Sequence, residues 1–206
     1  MSDKKEKNYF GGGMESLRAL YKIGVGPSSS HTMGPQKASA IIKKRYPDAE
    51  SVTVTLYGSL AKTGIGHRTD YIIKKTLSPI KNEIIFDEET TGLPHPNTMK
   101  FSVSIYGEIK EVTVISIGGG EIRIIGEEPD ASLNVYSLRS FSEIAAHCLE
   151  KDMRLSEYVC ECEGEEIWNY LHEVWDVMKN SIKEGIGTEG ELFGGLHVQR
   201  KAKQLY

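Results

Sequence analysis

Three short segments of this 206-residue chain gather side chains that exchange protons and hold anions. The first is Ser28-Ser29-Ser30-His31-Thr32, which follows Gly26-Pro27 and runs into a predicted helix from about 33 to 46. The N–H groups in the first turn of a helix have no intrahelical partner and lie at the positive end of its dipole, so they attract anions. The hydroxyls of Ser28, Ser29, Ser30 and Thr32 add donors around the same point, where a carboxylate or phosphate would be well held. His31 adds the side chain best suited to proton exchange near neutral pH. The same residue types also serve as plain helix caps, with Ser30 or Thr32 as the N-cap and the remaining serines in a solvated loop.

The second segment, Gly64-Ile65-Gly66-His67-Arg68-Thr69-Asp70, is a glycine-rich turn that delivers His67, Thr69 and Asp70 to the start of another helix. Thr69 or Asp70 can cap that helix. In the functional reading His67 is an acid or base and Asp70 its orienting partner, since a carboxylate bonded to one ring nitrogen sets the tautomer of the other. The third segment, His95-Pro96-Asn97 after Leu93-Pro94, presents an imidazole and an amide on a loop stiffened by proline. Packing is the commoner use of such a histidine. Other patterns fail. Tyr57-Gly58-Ser59-Leu60-Ala61 lacks the second glycine of a nucleophile elbow, there is no phosphate-binding P-loop, and Gly118-Gly119-Gly120 lacks the spacing of a dinucleotide fingerprint. Cys148, Cys160 and Cys162 equal in number the ligands of a cluster with one open iron. In a helix, however, residues two apart point to nearly opposite sides, so these three read as ordinary reduced thiols and not as a metal site.

The elements that must position these groups follow from periodicity. Residues 14–23 start the ordered chain, with Leu17, Leu20, Tyr21 and Ile23 at helical spacing. Alternation of Val52, Val54 and Leu56 with hydroxyl residues predicts a strand over 51–57. Residues 58–66 read as a loop and 70–77 as a helix. Strands are predicted at 101–106 and 111–117, joined as a hairpin through 107–110, with a short run at 121–125. From Phe141 onward the texture is helical, the longest helix running from about 164 to 183. The expected organisation is a flexible extension over 1–13, one domain over 14–184, and a linker or arm over 185–206 marked by five glycines. Strands in the middle with helices around them give an α/β class of mixed α+β type, a small mixed sheet flanked by helices.

Composition excludes other classes. With 39% hydrophobic and 26% charged residues the chain is an ordinary globular one. Lys+Arg 25 against Asp+Glu 29, net charge −4, leaves no basic surplus for a nucleic acid backbone. No apolar run of about 18 residues suits a membrane span, and the charged N-terminus is not a secretory signal. Three cysteines, an odd number, suit the reducing cytoplasm.

Taken in order, Met14-Glu15-Ser16-Leu17, the run Gly26 to Pro35, Tyr57-Gly58-Ser59-Leu60, Gly64 to Asp70, His95-Pro96-Asn97, Ser116 to Gly120 and Gly187-Thr188-Glu189-Gly190 resemble the beta-chain domain of the bacterial iron–sulfur L-serine dehydratases. The resemblance implies a fold similar to the allosteric substrate-binding domain of phosphoglycerate dehydrogenase. It implies an enzyme that turns L-serine into pyruvate and ammonia with a [4Fe–4S] cluster. The cluster ligands are expected in an alpha domain or subunit and not in this chain, which ends about where the linker to that half would run. The chain is therefore expected to be inactive as a dehydratase without its alpha partner, and to belong to a homo-oligomer. His67 and His31 are the implied proton-transfer residues; Ser28, Ser29, Ser30, Thr32, Thr69, Asp70, His95 and Asn97 are the implied substrate contacts. A different class also fits: a non-catalytic domain that senses serine or a similar anion at the same helix N-terminus.

Overall fold

The computed structural model describes residues 13–128, 134–192 and 197–206; nearly all of the expected extension over 1–13 lies outside the described residues. In chain order the elements are β1 (Met14–Glu15), α1 (Leu17–Leu20), a single wide turn of π-helix (Ser29–Met33), α2 (Gly34–Arg45), β2 (Ser51–Tyr57), α3 (Gly58–Thr63), α4 (Thr69–Leu77), β3 (Lys81–Asp87), β4 (Thr98–Ile105), β5 (Glu108–Gly118), β6 (Glu121–Ile124), β7 (Asn134–Tyr136), α5 (Phe141–Glu150), α6 (Leu155–Glu163), α7 (Glu166–Gly187) and α8 (Ala202–Leu205). Two compact units result: Ile23–Pro129 with Asn180–Tyr206, and Met1–Lys22 with Asp130–Lys179.

The first, the sheet unit, is built on a five-stranded sheet of order β3-β2-β4-β5-β6. β2 runs parallel to β3, and the other neighbours are antiparallel. The mixture follows from connectivity, because a parallel pair needs a crossover and α3 and α4 supply it, whereas β4 and β5 join through a tight turn. Period-2 alternation puts Val52, Val54 and Leu56 on one face, opposite Val103, Phe101 and Met99. Ile84 and Phe86 extend that face on β3, and Val112 and Val114 extend it on β5. Ala38 and Ile42 of α2 and Ile72, Ile73 and Leu77 of α4 close over it as one core. Each valine, leucine, isoleucine, methionine or phenylalanine fully buried there contributes about 1.5–3 kcal/mol relative to exposure. The mixed α/β expectation therefore holds, with the sheet's hydroxyl-bearing positions Ser51, Thr53, Thr55, Ser102 and Ser104 on the opposite, half-buried side.

Three differences from expectation bear on the site. Residues 58–63 are a short helix and not a loop. The serine run is itself helical, wound as the π-type turn that feeds α2. β3 is an additional strand at the sheet edge. Over 185–206, where an arm was expected, α7 continues to Gly187, Glu191 bridges Gln199, and α8 adds one turn.

In the second, helical unit, β1 pairs antiparallel with β7. Glu163, the last residue of α6, is its tie point. Its carboxylate accepts hydrogen bonds from Ser16 Oγ at 2.6 Å, the Leu17 N–H at 2.6 Å and Tyr136 Oη at 2.8 Å. Burial works against that charge, yet the donors outweigh it and hold the carboxyl below its ordinary value. α5 begins with a capping box between Ser140 and Glu143. Leu17, Leu155, Val159, Trp168 and Leu171 line an apolar cleft of about 560 Å³. Among the described residues no helix is long and apolar enough to cross a membrane.

Candidate active site

The site sits where the π-type turn, α3 and the start of α4 meet in the sheet unit. Ser28 caps the turn: its Oγ accepts the His31 N–H at 3.1 Å, and its carbonyl accepts the N–H groups of Thr32 and Met33 at 3.0 and 3.1 Å. That arrangement projects His31 across to α3. Its Nδ1 meets Ser30 Oγ at 2.9 Å and its Nε2 meets Ser59 Oγ at 3.0 Å. A hydroxyl both donates and accepts, so either neutral tautomer of His31 is satisfied.

His67 stacks beside it, with ring centroids 4.7 Å apart and planes tilted by 35°. Its Nδ1 lies 2.9 Å from the Thr63 carbonyl, which can only accept, so Nδ1 carries the proton and the lone pair of the neutral ring is on Nε2. That Nε2 makes no hydrogen bond among the described residues. The expected orienting partner, Asp70, makes no hydrogen bond to His67 among the described residues. It lies in the first turn of α4, where its charge favours the helix dipole. A backbone carbonyl one turn earlier performs the orienting task instead.

Two threonines lock the histidines together. Thr32 Oγ1 donates to the His67 carbonyl at 3.0 Å, and Thr69 Oγ1 donates to the His31 carbonyl at 2.6 Å. Both are buried, at 2% and 0% exposure, so their hydroxyls are committed inside the protein as a reciprocal brace. Ser28 and Ser30 are half-buried and Ser29 is exposed. Burial, and after it the neighbouring His67, hold the His31 imidazole below its ordinary value, with the Ser59 contact acting in the opposite sense. Two imidazoles at this spacing resist carrying two protons at once.

The His95-Pro96-Asn97 loop joins this group through backbone contacts. The Ser59 N–H donates to the Pro96 carbonyl at 2.8 Å. Gly58 has φ +54, and a Cβ there would lie 2.5 Å from the Pro96 oxygen, so only glycine permits this approach. Within the loop, His95 Nδ1 accepts the Asn97 N–H at 3.0 Å, and Asn97 Nδ2 donates to the Ser116 carbonyl at 3.3 Å. No side-chain hydrogen bond links His95 or Asn97 to His31 or His67 among the described residues. Ser116 is fully buried beneath the first residue of α2, where a Cβ on Gly34 would lie 2.2 Å from Ser116 Oγ.

Ser59, Thr63 and Ser116 are the residues that motif reading missed. Ser59 stands 28 positions from His31, and no local pattern announces their contact. The glycine before it, at the end of a strand, is the one available signal.

Cys160 and Cys162 share α6, where Trp168 Nε1 donates to Cys160 Sγ at 2.7 Å, and Cys148 lies on α5. Among the described residues no group of three His, Cys, Asp or Glu side chains could hold a metal ion. These residues do not fit an iron–sulfur cluster.

Residues 16–78 match the profile of the family described as Serine dehydratase beta chain, a span that contains His31, Ser59 and His67. The chain is 31% identical over 245 aligned positions to L-serine dehydratase 2 of Escherichia coli (strain K12), covering 93% of this chain and 53% of that protein. It is 32% identical over 246 positions to the L-serine dehydratase of Haemophilus influenzae, covering 94% of this chain and 54% of the relative. A third relative, L-serine dehydratase 1 of Escherichia coli, is 31% identical over 93% of this chain and 54% of its own length. The chain thus spans about half the length of the curated relatives it matches.

Proposed function

Because the chain belongs to the serine dehydratase beta-chain family, we propose that it supplies the proton-transfer face of an L-serine ammonia-lyase whose other half is an alpha domain or subunit. The reaction removes the Cα proton and the β-hydroxyl of L-serine as water. The resulting aminoacrylate hydrolyses to pyruvate and ammonia. On this reading a [4Fe–4S] cluster belongs to the alpha half, since the cysteines here do not fit one.

The observation that carries the reading is the unequal treatment of two stacked histidines. His31 is engaged at both ring nitrogens, whereas His67 is engaged at Nδ1 and keeps its lone pair on Nε2. His67 is the base for the Cα proton, and its Thr63 contact holds the tautomer that leaves Nε2 basic. His31, kept neutral by burial, leaves His67 free to accept that proton without a second charge beside it. Ser28, Ser29 and Ser30 offer hydroxyls to the substrate carboxylate beside the turn. Thr32 and Thr69 act as the brace. His95 and Asn97 border the same region through Ser59.

The test is steady-state turnover of L-serine by the chain assembled with the alpha half. His67→Ala lowers kcat by about 10²-fold or more, the usual cost of losing a general base. Unchanged turnover removes His67 from the mechanism. If in addition the chain alone binds L-serine tightly by calorimetry, it is a sensor and not half of an active site.

A further inference from the structure

We infer that Ser59 is the positioning residue of this site, the point through which all three histidine-bearing segments are held in register. The inference rests on the reading of His67 and His31 given above and gives Ser59 a role of its own, which that reading left unassigned.

Each polar group of Ser59 reaches a different segment. Its hydroxyl meets His31 Nε2 at 3.0 Å. Its N–H donates to the Pro96 carbonyl at 2.8 Å and so ties down the His95-Pro96-Asn97 loop. Its carbonyl accepts Thr63 Oγ1 at 2.8 Å, and the Thr63 carbonyl in turn accepts His67 Nδ1 at 2.9 Å. The chain from Ser59 to His67 therefore has one intermediate residue, and the links to His31 and to the third loop have none.

Local structure explains why this position can do all three. Ser59 lies two positions past the end of β2 and is the second residue of α3, so its N–H is one of the first-turn donors without an intrahelical partner. Gly58, at φ +54, lets the Pro96 carbonyl approach that donor. The strand-to-helix turn also aims the side chain toward the π-type turn. There the wide winding of Ser29–Met33 and the Ser28 cap place His31 to receive it.

Two of the three links use the backbone and survive any side-chain change. Ser59→Ala therefore removes the hydroxyl alone, which makes the role separable from folding. Without it the His31 ring keeps a single hydrogen bond, to Ser30, and is free to turn toward His67. A displacement of about 1 Å near reacting groups is enough for large losses in rate.

The test has a spectroscopic arm on the chain itself and a kinetic arm on the assembled enzyme. In the first, long-range ¹H–¹⁵N spectra of the imidazoles are recorded through a pH titration. Ser59→Ala shifts the His31 Nε2 resonance and its titration midpoint, leaves the His67 Nδ1 signal in place, and Ser59→Thr restores His31. In the second, Ser59→Ala lowers kcat on the order of 10-fold and moves the acid limb of the pH profile, again restored by threonine. Unchanged His31 resonances in Ser59→Ala overturn the inference, and so does a shifted His31 with unaltered turnover. Full activity of His67→Ala instead overturns the base assignment, without touching the spectroscopic arm. Ser59→Cys, which preserves shape and weakens the hydrogen bond, carries the same readouts if the alanine variant does not fold.

Discussion

The sheet unit turns its buried hydroxyls toward two histidines, while the helical unit turns its donors toward one carboxylate. In the helical unit three donors converge on Glu163 and stabilise a fixed negative charge. In the sheet unit Ser30, Ser59, Thr32 and Thr69 surround two stacked histidines, and burial disfavours the charged form of one of them, His31. A carboxylate held charged by its partners is a structural tie, because its protonation state resists change. A stacked pair in which burial disfavours charge on one imidazole, with the other ring 4.7 Å away, is not fixed in that way. Both arrangements use hydroxyl groups, and they differ in what they do to a titratable group.

The largest effect that separates the units is in the core. Phe101 is fully buried in the sheet unit, and Phe101→Ala should cost about 3–5 kcal/mol in denaturant unfolding, lowering the midpoint with the site intact until the transition. A smaller cost is expected in the helical unit. Glu163→Ala leaves three donors without their acceptor and should cost about 1–3 kcal/mol, with Glu163→Gln recovering part of it. Hydrogen exchange should place that loss in β1, β7 and α6, and not in the sheet.

The smallest effect is the dependence on pH, and here the units should part. His31 has a folded value below the ordinary 6.5, so the unfolded chain binds its proton first. Its contribution is intact above about 6.5 and is lost as pH falls below that value toward the folded one. Glu163 has a folded value below the ordinary 4.5, so its contribution is present above about 4.5 and is lost as pH falls through the lower folded value. Unfolding followed from pH 7.5 downward should show the His31 step first, absent in His31→Gln, and the Glu163 step later, absent in Glu163→Gln. Coincident steps would erase the distinction drawn between the units.

Much of the sheet unit was legible from periodicity. The alternation at Val52, Val54 and Leu56 and the β4–β5 hairpin came through because one face of each strand is buried and the other is not. β3 escaped because its apolar positions Ile84 and Phe86 flank the exposed Ile85, which breaks the pattern of an edge strand. α3 escaped because Gly58 and Gly64 bracket only five residues, too few for a helical period to register. At the site, the sequence named both histidines and their hydroxyl-rich segments. It did not name how they connect. Asp70 looked like the partner of His67 since a carboxylate three residues away is a visible signal, whereas the Thr63 carbonyl is backbone and carries none. Ser59 and His31 meet through β2 and α3, a juxtaposition that tertiary structure alone creates.

The reciprocal brace of Thr32 and Thr69 has a consequence for how this region opens. Each threonine belongs to one histidine segment and closes on the main chain of the other. The segments form a clasp with no independent leaf, so a fluctuation that lifts one strips the other of its hydroxyl. Such units exchange their amides as a single cooperative body instead of fraying one loop at a time. By that logic the two imidazoles leave their stacked geometry together, and the amides of the two segments should share one exchange rate.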